Sequence, residues 1–562
     1  MIKYLKDRKF IFIIISFIML FVLVLLENTL YYTGDTTFHI NRIVGIADAF
    51  RDGQLIPRMY PYTNNGFGYP VSLFYCDLFI YPFSILYMLG LPLVITYKVM
   101  LIFYVSLGTI LMYIVSRIIF KDENKTLLCL ALYCFNNYRF INFYPRGAFG
   151  ELLGFTFFPL ILLVFYRIFI QKKQSYVLLG LSMGIMCLAH NMSFLFYVIL
   201  YIMFSVIHII LNIKNVICIK KFIVDSLLGA LIALGISAWY LFPYIELLNT
   251  QELYINNSSL FFDLNDTLLN IDNYLGVFVN YTNNFTIHTI NDNSVNIFFL
   301  LIPMFIIFVK HKNKYLIYLT VIYYFMIFTT MGYTYIHNYS FTSILQYSNR
   351  LFAIITPIGI ILITCILSKT NKLIGYSLII FCIFNHCLGT YQYFNIRDSR
   401  LNDSQLYNQI LEENLNYDRD HNEKQMSDGL MLPTSEKNNY LTDTTYIKLL
   451  ENNLYSDIIY DFNRNFTHID FEYKSKGKEV LMLPLTYYKG YKAYAVVEDK
   501  RIELDVINTD VYKRVGITTL EGDAHYYIEY DKTLVQIMSY FISGITCIIV
   551  LFILYKNNKL NL

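Results

Sequence analysis

Charge is scarce in this sequence: 15% of its 562 residues are Asp, Glu, Lys or Arg, against 56% hydrophobic residues. So little charge cannot clothe a soluble domain or keep a chain unfolded in water, which excludes both classes. The net charge of +3 is too small and too scattered for a nucleic-acid footprint. Nine cysteines occur, but they lie in or beside apolar runs, no CxxC pair is present, and the polar stretch 392–532 has none. A disulfide framework and a cysteine metal site are therefore excluded, and the cysteines read as small core hydrophobes. Internal duplication with broken helices in matching halves, the sequence mark of many transporters, is also missing.

What the chain does have is long apolar runs. Lys3, Lys6, Arg8 and Lys9 precede Phe10 to Leu26, which is broken only by Ser16. That run is long enough to span a bilayer, and no small-residue cleavage site follows it, so it reads as a retained first span. Further spans are expected at 93–118, 126–143, 150–170, 175–190, 192–213, 222–246, 293–310, 315–331, 349–368, 373–391 and 534–555. Residues 71–90 are apolar but carry Asp77 and Pro82. If they do not cross, every basic cluster between spans falls on one side, which the positive-inside rule makes cytoplasmic. The segment is therefore expected to be re-entrant or interfacial, with both termini cytoplasmic.

The resulting architecture is an all-α polytopic membrane protein of about 12 transmembrane helices. It has a long first outer loop and a C-terminal extracytoplasmic β-sandwich-like domain, followed by a final transmembrane helix. The expected divisions are 1–391, including the outer loop 32–92, then 392–532, then 533–562. Within the polar stretch, 395 to about 453 is rich in Asn, Asp, Glu and Lys, with helical stretches. His468 to Tyr473, Lys478 to Leu485, Tyr491 to Val497, Arg501 to Val506 and His525 to Tyr530 alternate like strands. In the first loop, His39 to Arg51 is expected to form a short helix ended by Asp52-Gly53.

This topology gathers the unusual polar residues on one surface. Asp35, His39, Arg42 and Arg58 lie on the first loop; Arg146 and Glu151, His190 and Asn191, and Gln346 and Arg350 lie at later span ends of the same side. Ionisable groups at a membrane boundary are costly and mark a functional site by default.

The order of these motifs carries a resemblance. Gly34-Asp35-Thr36-Thr37-Phe38-His39-Ile40-Asn41-Arg42, Asp52-Gly53-Gln54-Leu55-Ile56-Pro57-Arg58 and Gly66-Phe67-Gly68-Tyr69-Pro70 open the series. Arg146-Gly147-Ala148 with Glu151, Ala189-His190-Asn191, Trp239-Tyr240-Leu241-Phe242-Pro243 and Gln346 with Asn349-Arg350-Leu351 continue it, and Tyr488-Lys489-Gly490-Tyr491 and Gly522-Asp523-Ala524-His525 close it. Together they resemble the YfhO-like bacterial membrane proteins, which are similar to the 6-pyruvoyl-tetrahydropterin-synthase-related domain and belong with the GT-C glycosyltransferase superfamily. One departure is Tyr347-Ser348-Asn349, where a Phe-Pro-Trp-like triplet is expected. The family label implies no pterin chemistry.

The resemblance implies a cell-membrane enzyme that transfers a sugar from a polyprenyl-phosphate carrier to a cell-envelope glycan, lipid or protein. Such a reaction needs a base for the acceptor hydroxyl, and Asp35 is the candidate, with Glu151 the second carboxylate. It also needs donors for the leaving phosphate, a task for Arg42, Arg58, Arg146 and Arg350, with His39, His190, Asn191 and Gln346 as further substrate contacts. No DxD-type cluster stands in the first loop, so catalysis without a cofactor or metal is expected, with no nucleic-acid partner. Plainer readings stand beside each. Asp35 is also placed to cap the following helix, Glu151 to pair with Arg146, His190-Asn191 to bond locally at a helix end, and Arg42 and Arg58 to anchor phospholipid headgroups. A polytopic transporter, a flippase of lipid-linked glycans and a non-catalytic envelope-assembly protein are the alternative functions.

Overall fold

The computed structural model describes residues 8–26, 35–64, 66–144, 146–173, 175–250, 253, 297–308, 314–331, 348–367, 372–401, 447–451, 454–459, 461–509 and 513–559. Helix α1 (Arg8–Val22) tightens into a 3-10 turn over Leu23–Leu26. The first loop then folds into α2 (Thr36–Arg51), α3 (Val71–Phe74) and α4 (Tyr81–Met88). Helix α2 starts three residues before the expected His39 and stops at Asp52, where Gly53 takes a φ of +83° that side chains disfavour.

No continuous span forms over 71–90. Between α3 and α4 the chain is irregular, and the Asp77 carbonyl accepts from Ile80 and Tyr81 N–H. This stretch sinks beside long helices: Tyr104 Oη donates to the Phe79 carbonyl at 2.6 Å, and the Phe79 ring lies 5.0 Å from Phe157. Irregular backbone at that depth is tolerated where protein surrounds it.

The helical body continues with α5 (Leu93–Phe120), α6 (Glu123–Cys134), α7 (Asn137–Phe143), α8 (Phe149–Phe165, ending in a π turn to Ile170), α9 (Tyr176–Ala189), α10 (Asn191–Leu211) and α11 (Val216–Thr250). After these come α12 (Ile297–Leu301), α13 (Lys314–Met331), α14 (Phe352–Leu367) and α15 (Lys372–Leu401). The expected span 126–143 is not one helix. Asn136 leaves helical geometry at ψ 153°, and its side chain caps α7 by accepting from Arg139 N–H at 2.8 Å. A side-chain amide that competes for the backbone breaks the rod here.

Among the described residues six helices are long and apolar enough to cross a membrane: residues 93–120, 149–170, 191–211, 216–250, 372–395 and 534–556. Shorter apolar helices cover 176–189, 297–306, 314–330 and 352–367. The long helices close up through small residues. A Cβ on Gly180 would stand 2.5 Å from Ile232 of α11, and Ser543 of the last helix donates to the Gly235 carbonyl at 2.8 Å.

The described residues of the polar C-terminal stretch form ten strands in two antiparallel five-stranded sheets. They are β1 (Ile447–Glu451), β2 (Leu454–Ile459), β3 (Asn463–Asn465), β4 (His468–Ser475), β5 (Val480–Thr486), β6 (Tyr491–Val497), β7 (Lys500–Leu504), β8 (Val506–Asn508), β9 (Arg514–Thr518) and β10 (Gly522–Tyr530). Strand order is β2-β1-β5-β9-β8 in one sheet and β3-β4-β10-β6-β7 in the other. The expected inward face of β4 is observed, with Ile469 and Phe471 buried. The first described strand, from Ile447, lies inside the polar stretch 395–453, where helical stretches are expected; Ile447 and Leu449 alternate into the core. Helix α16 (Leu534–Lys559) follows directly.

The sandwich is fastened to the first loop. Thr486 N–H donates to the Phe67 carbonyl at 2.8 Å, Arg464 to the Pro61 carbonyl at 2.9 Å, and Thr467 Oγ1 to Asp52 at 2.7 Å. Lys489 and Thr533 both bond Glu246 near the end of α11. The expectation from the basic clusters is that this whole assembly lies outside the cytoplasm. A cysteine replacing exposed Asp499 is expected to react with an impermeant maleimide on intact cells, and one replacing exposed Lys220 only after permeabilisation; the reverse pattern would overturn that orientation.

Candidate functional site

Asp35 stands at the start of α2. Its N–H donates to the Arg146 carbonyl at 2.7 Å, and its own carbonyl receives His39 N–H at 3.1 Å, but its side chain makes no capping bond. The helix therefore leaves the carboxylate unused. The group is exposed, yet enough protein crowds around it that lost hydration raises its pKa. The Arg146 guanidinium opposes that rise, the Glu151 carboxylate adds to it, and Arg350 opposes it further. An accessible carboxylate deep in a concave surface fits this combination.

The turn between α7 and α8 supplies two of these neighbours. Gly147, at φ +64°, reverses the chain, and Ala148 N–H closes the turn on the Asn142 carbonyl at 2.8 Å. Arg146 then lies between the side chains of Asn142, at 2.8 Å, and Glu151, at 2.9 Å. Tyr138 Oη donates to the other Glu151 oxygen. Glu151 is thus held on both oxygens, whereas Asp35 is not held through its side chain by the helix it begins.

His190 comes from a third place, the break between α9 and α10. It caps α10 through Ser193, whose hydroxyl is 2.8 Å from Nδ1, and its ring lies against Gly150, where a Cβ would be 3.0 Å away. Glycine at 150 is what lets the ring approach the first turn of α8 beside Glu151. Arg350, half-buried on the 3-10 turn Ser348–Leu351, acts electrostatically on Asp35, Glu151 and His190. Asp35, Arg146, Glu151, His190 and Arg350 therefore converge from four separate segments.

Other residues singled out in the sequence go elsewhere. Arg42 is buried in an ion pair with Asp77, through Nε at 2.9 Å and Nη2 at 2.6 Å, and Tyr60 Oη donates to the second Asp77 oxygen. His39 is also buried. Its Nε2 lies 3.3 Å from Phe149 N–H and its Nδ1 3.2 Å from Arg42 Nη1; a neutral ring accepts at only one nitrogen, so one of these is a contact without a hydrogen bond. Burial and the neighbouring Arg42 push the His39 pKa well below its ordinary value, so the ring is neutral. Asn191 donates to Tyr240 Oη at 2.6 Å, which in turn donates to the Phe74 carbonyl. Arg58 is buried between Trp239 and Tyr540. Gln346 lies outside the described residues.

The sequence reading missed Tyr138 and Asn142, which hold Glu151 and Arg146, and Tyr60, which closes the Arg42–Asp77 pair. The available signal for the first two was the polar residues interrupting the apolar run 126–143. Among the described residues no group of three His, Cys, Asp or Glu side chains converges as a metal site, and Asp77, the third carboxylate on the same side in the sequence, belongs to Arg42.

Residues 73–396 match the model of a membrane-protein family described as the 6-pyruvoyl-tetrahydropterin synthase related domain. The chain is also 25% identical over 256 residues to an uncharacterized protein of Lactococcus lactis subsp. cremoris (strain MG1363), across 43% of this chain and 41% of that protein. It thus spans less than half the length of that relative. No solved structure matches it.

The buried pair generates a stability test. Asp77→Ala strands the Arg42 charge in the interior and is expected to cost about 3–5 kcal/mol, read as a lowered unfolding midpoint in detergent. Replacing both partners by apolar residues, Arg42→Met with Asp77→Leu, should recover most of that loss. Equal midpoints for the single and double variants would show that the pair is not what the site's scaffold depends on.

Proposed function

Because the chain belongs to the family of membrane proteins with the 6-pyruvoyl-tetrahydropterin synthase related domain, we propose that it is a membrane glycosyltransferase acting outside the cytoplasm. The donor is a sugar on a polyprenyl phosphate, and the acceptor is a hydroxyl of a cell-envelope glycan, lipid or protein. In this reading about twelve spans, the number expected from the apolar runs of the sequence, carry the site on the side of the sandwich. The observation that supports this reading is the convergence of Asp35, Arg146, Glu151, His190 and Arg350, with Asp35 exposed and unspent on capping.

The roles follow from where each group stands. Asp35 takes the acceptor hydroxyl's proton as that oxygen attacks the anomeric carbon; its raised pKa makes it a stronger base than an ordinary surface carboxylate. Negative charge grows on the departing lipid phosphate. In this reading Arg350 and Arg146 meet it, and guanidinium donors stabilise phosphate best where water is scarce. Glu151, fixed by Tyr138 and Arg146, orients the guanidinium and His190. Arg42, His39 and Asn191 hold the frame, each through its buried bonds.

Asp35→Asn keeps the size and capping ability of the side chain but removes the base. Turnover is expected to fall by ~10²–10⁴-fold with little change in expression or carrier-lipid affinity. Asparagine at 35 with normal turnover would end the assignment. The native enzyme's kcat/KM should also rise with pH through an apparent pKa above the usual carboxylate range, since Asp35 acts only when deprotonated and burial has raised its pKa. A profile flat from the ordinary carboxylate range upwards would exclude Asp35 as the titrating group.

A further inference from the structure

Unpartnered buried polar atoms gather at one junction of the described residues. Arg58 is 1% exposed; its Nε donates to Tyr540 Oη at 2.9 Å and its Nη2 to the Trp239 carbonyl, yet Nη1 has no partner among the described residues. Tyr81 and Tyr530 both feel the Arg58 charge. Tyr81 Oη is likewise buried without a partner. Gln536, 1% exposed, reaches Tyr530 Oη only at 3.4 Å through Nε2 and leaves its Oε1 unmatched. More than nine in ten buried polar groups are ordinarily paired, so three orphans around one guanidinium call for a polar occupant.

The orphan set identifies the chemistry of that occupant. A guanidinium alone would suit an anion. Here an amide and a phenol stand with it, and the amide oxygen needs a donor that a phosphate or carboxylate does not have. Turned the other way, the amide would need an acceptor instead. A hydroxyl group both donates and accepts, so it satisfies the amide in either orientation, the phenol and Nη1 together. The indole of Trp239 and the ring of Tyr540 each take the guanidinium over a face, at 5.3 and 5.2 Å, which holds Arg58 in place beside the orphan atoms. The nearby carboxylate, Glu246, is already taken by Lys489 and Thr533.

We infer that this junction of the first loop, α11, α16 and β10 is a saccharide-binding subsite. Resting on the function proposed above, it holds part of the acceptor glycan while the reacting hydroxyl lies at Asp35. The sandwich helps form it: Tyr530 ends β10, and α16 follows four residues later. A glycan bound here touches both the sandwich and the loop that carries Asp35.

Trp239 is the sole tryptophan of the chain, so its fluorescence reports on this junction alone. The purified full-length protein in detergent would be titrated with glucose, galactose, N-acetylglucosamine and maltose, and separately with inorganic phosphate. At least one saccharide is expected to change the emission saturably, and phosphate is not. Tyr81→Phe, which removes only the orphan hydroxyl, and Gln536→Leu should each weaken that saccharide about tenfold. Unfolding midpoints show whether either variant is simply misfolded, in which case Tyr81→Phe, the smaller change, decides. The inference falls if no saccharide gives a saturable change, if phosphate does, or if a folded Tyr81→Phe protein binds as tightly as the native one; the junction then holds only ordered water. Asp35→Asn should bind the saccharide unchanged, because the readout needs no turnover. An active Asp35→Asn enzyme would thus overturn the catalytic assignment while leaving this titration standing.

Discussion

A charge inside an apolar bundle must be matched, and the first loop is built around one such match. Arg42, Asp77 and Tyr60 come from three stretches of the loop, and their buried bonds pin α2, the irregular turn after α3 and the segment around Tyr60 to one another. Removing water makes the attraction strong and makes an unpaired member costly, so the three positions stand or fall together. Through Arg42 the cluster reaches His39, and through His39 it reaches Phe149, the first residue of α8. The site lies at the other end of these contacts: Asp35 precedes α2, and Glu151 sits two residues after Phe149.

The sandwich is joined to this arrangement by the same loop. Residues 61–67 bond the strands on one side, while Tyr60 enters the helical body on the other, so close that a Cβ on Gly45 would lie 2.3 Å from its ring. The position of the sandwich and the geometry around Arg42 are thus set by consecutive residues. A transporter that rocks one half against the other would be hampered by such a fastening, whereas an enzyme that presents a large acceptor to a fixed base has a use for it.

Separate contacts distinguish the two carboxylates of the site. Glu151 has a phenol and a guanidinium on its oxygens, whereas the Asp35 side chain makes no capping bond and is acted on by neighbouring charges that pull its pKa in opposite directions. A carboxylate fully used by protein donors is a poor base, because proton uptake must break those bonds; one that is partly desolvated and unbonded is a better one. The same accounting moves Arg42 and Arg58 away from Asp35 and leaves Arg146 and Arg350 beside it.

The sequence alone determined that this is a polytopic membrane protein with a strand-rich polar domain, because apolar run length and residue alternation are local properties that burial enforces wherever the segment ends up. It also marked Asp35, Arg146, Glu151, His190 and Arg350, since ionisable residues at span ends are costly enough to stand out. Other elements were not legible. The break at Asn136 depends on one side chain capturing the backbone, and β1 lies in a stretch whose polar composition hides two inward-facing residues. Only the tertiary structure decided which arginines face Asp35 and which are spent on Asp77, Tyr540 or the Trp239 carbonyl. In sequence, four arginines near span ends look alike; what separates them is the partner that folding brings within 3 Å, and those partners lie 35 to 482 residues away or, for Arg146, on the next turn of chain.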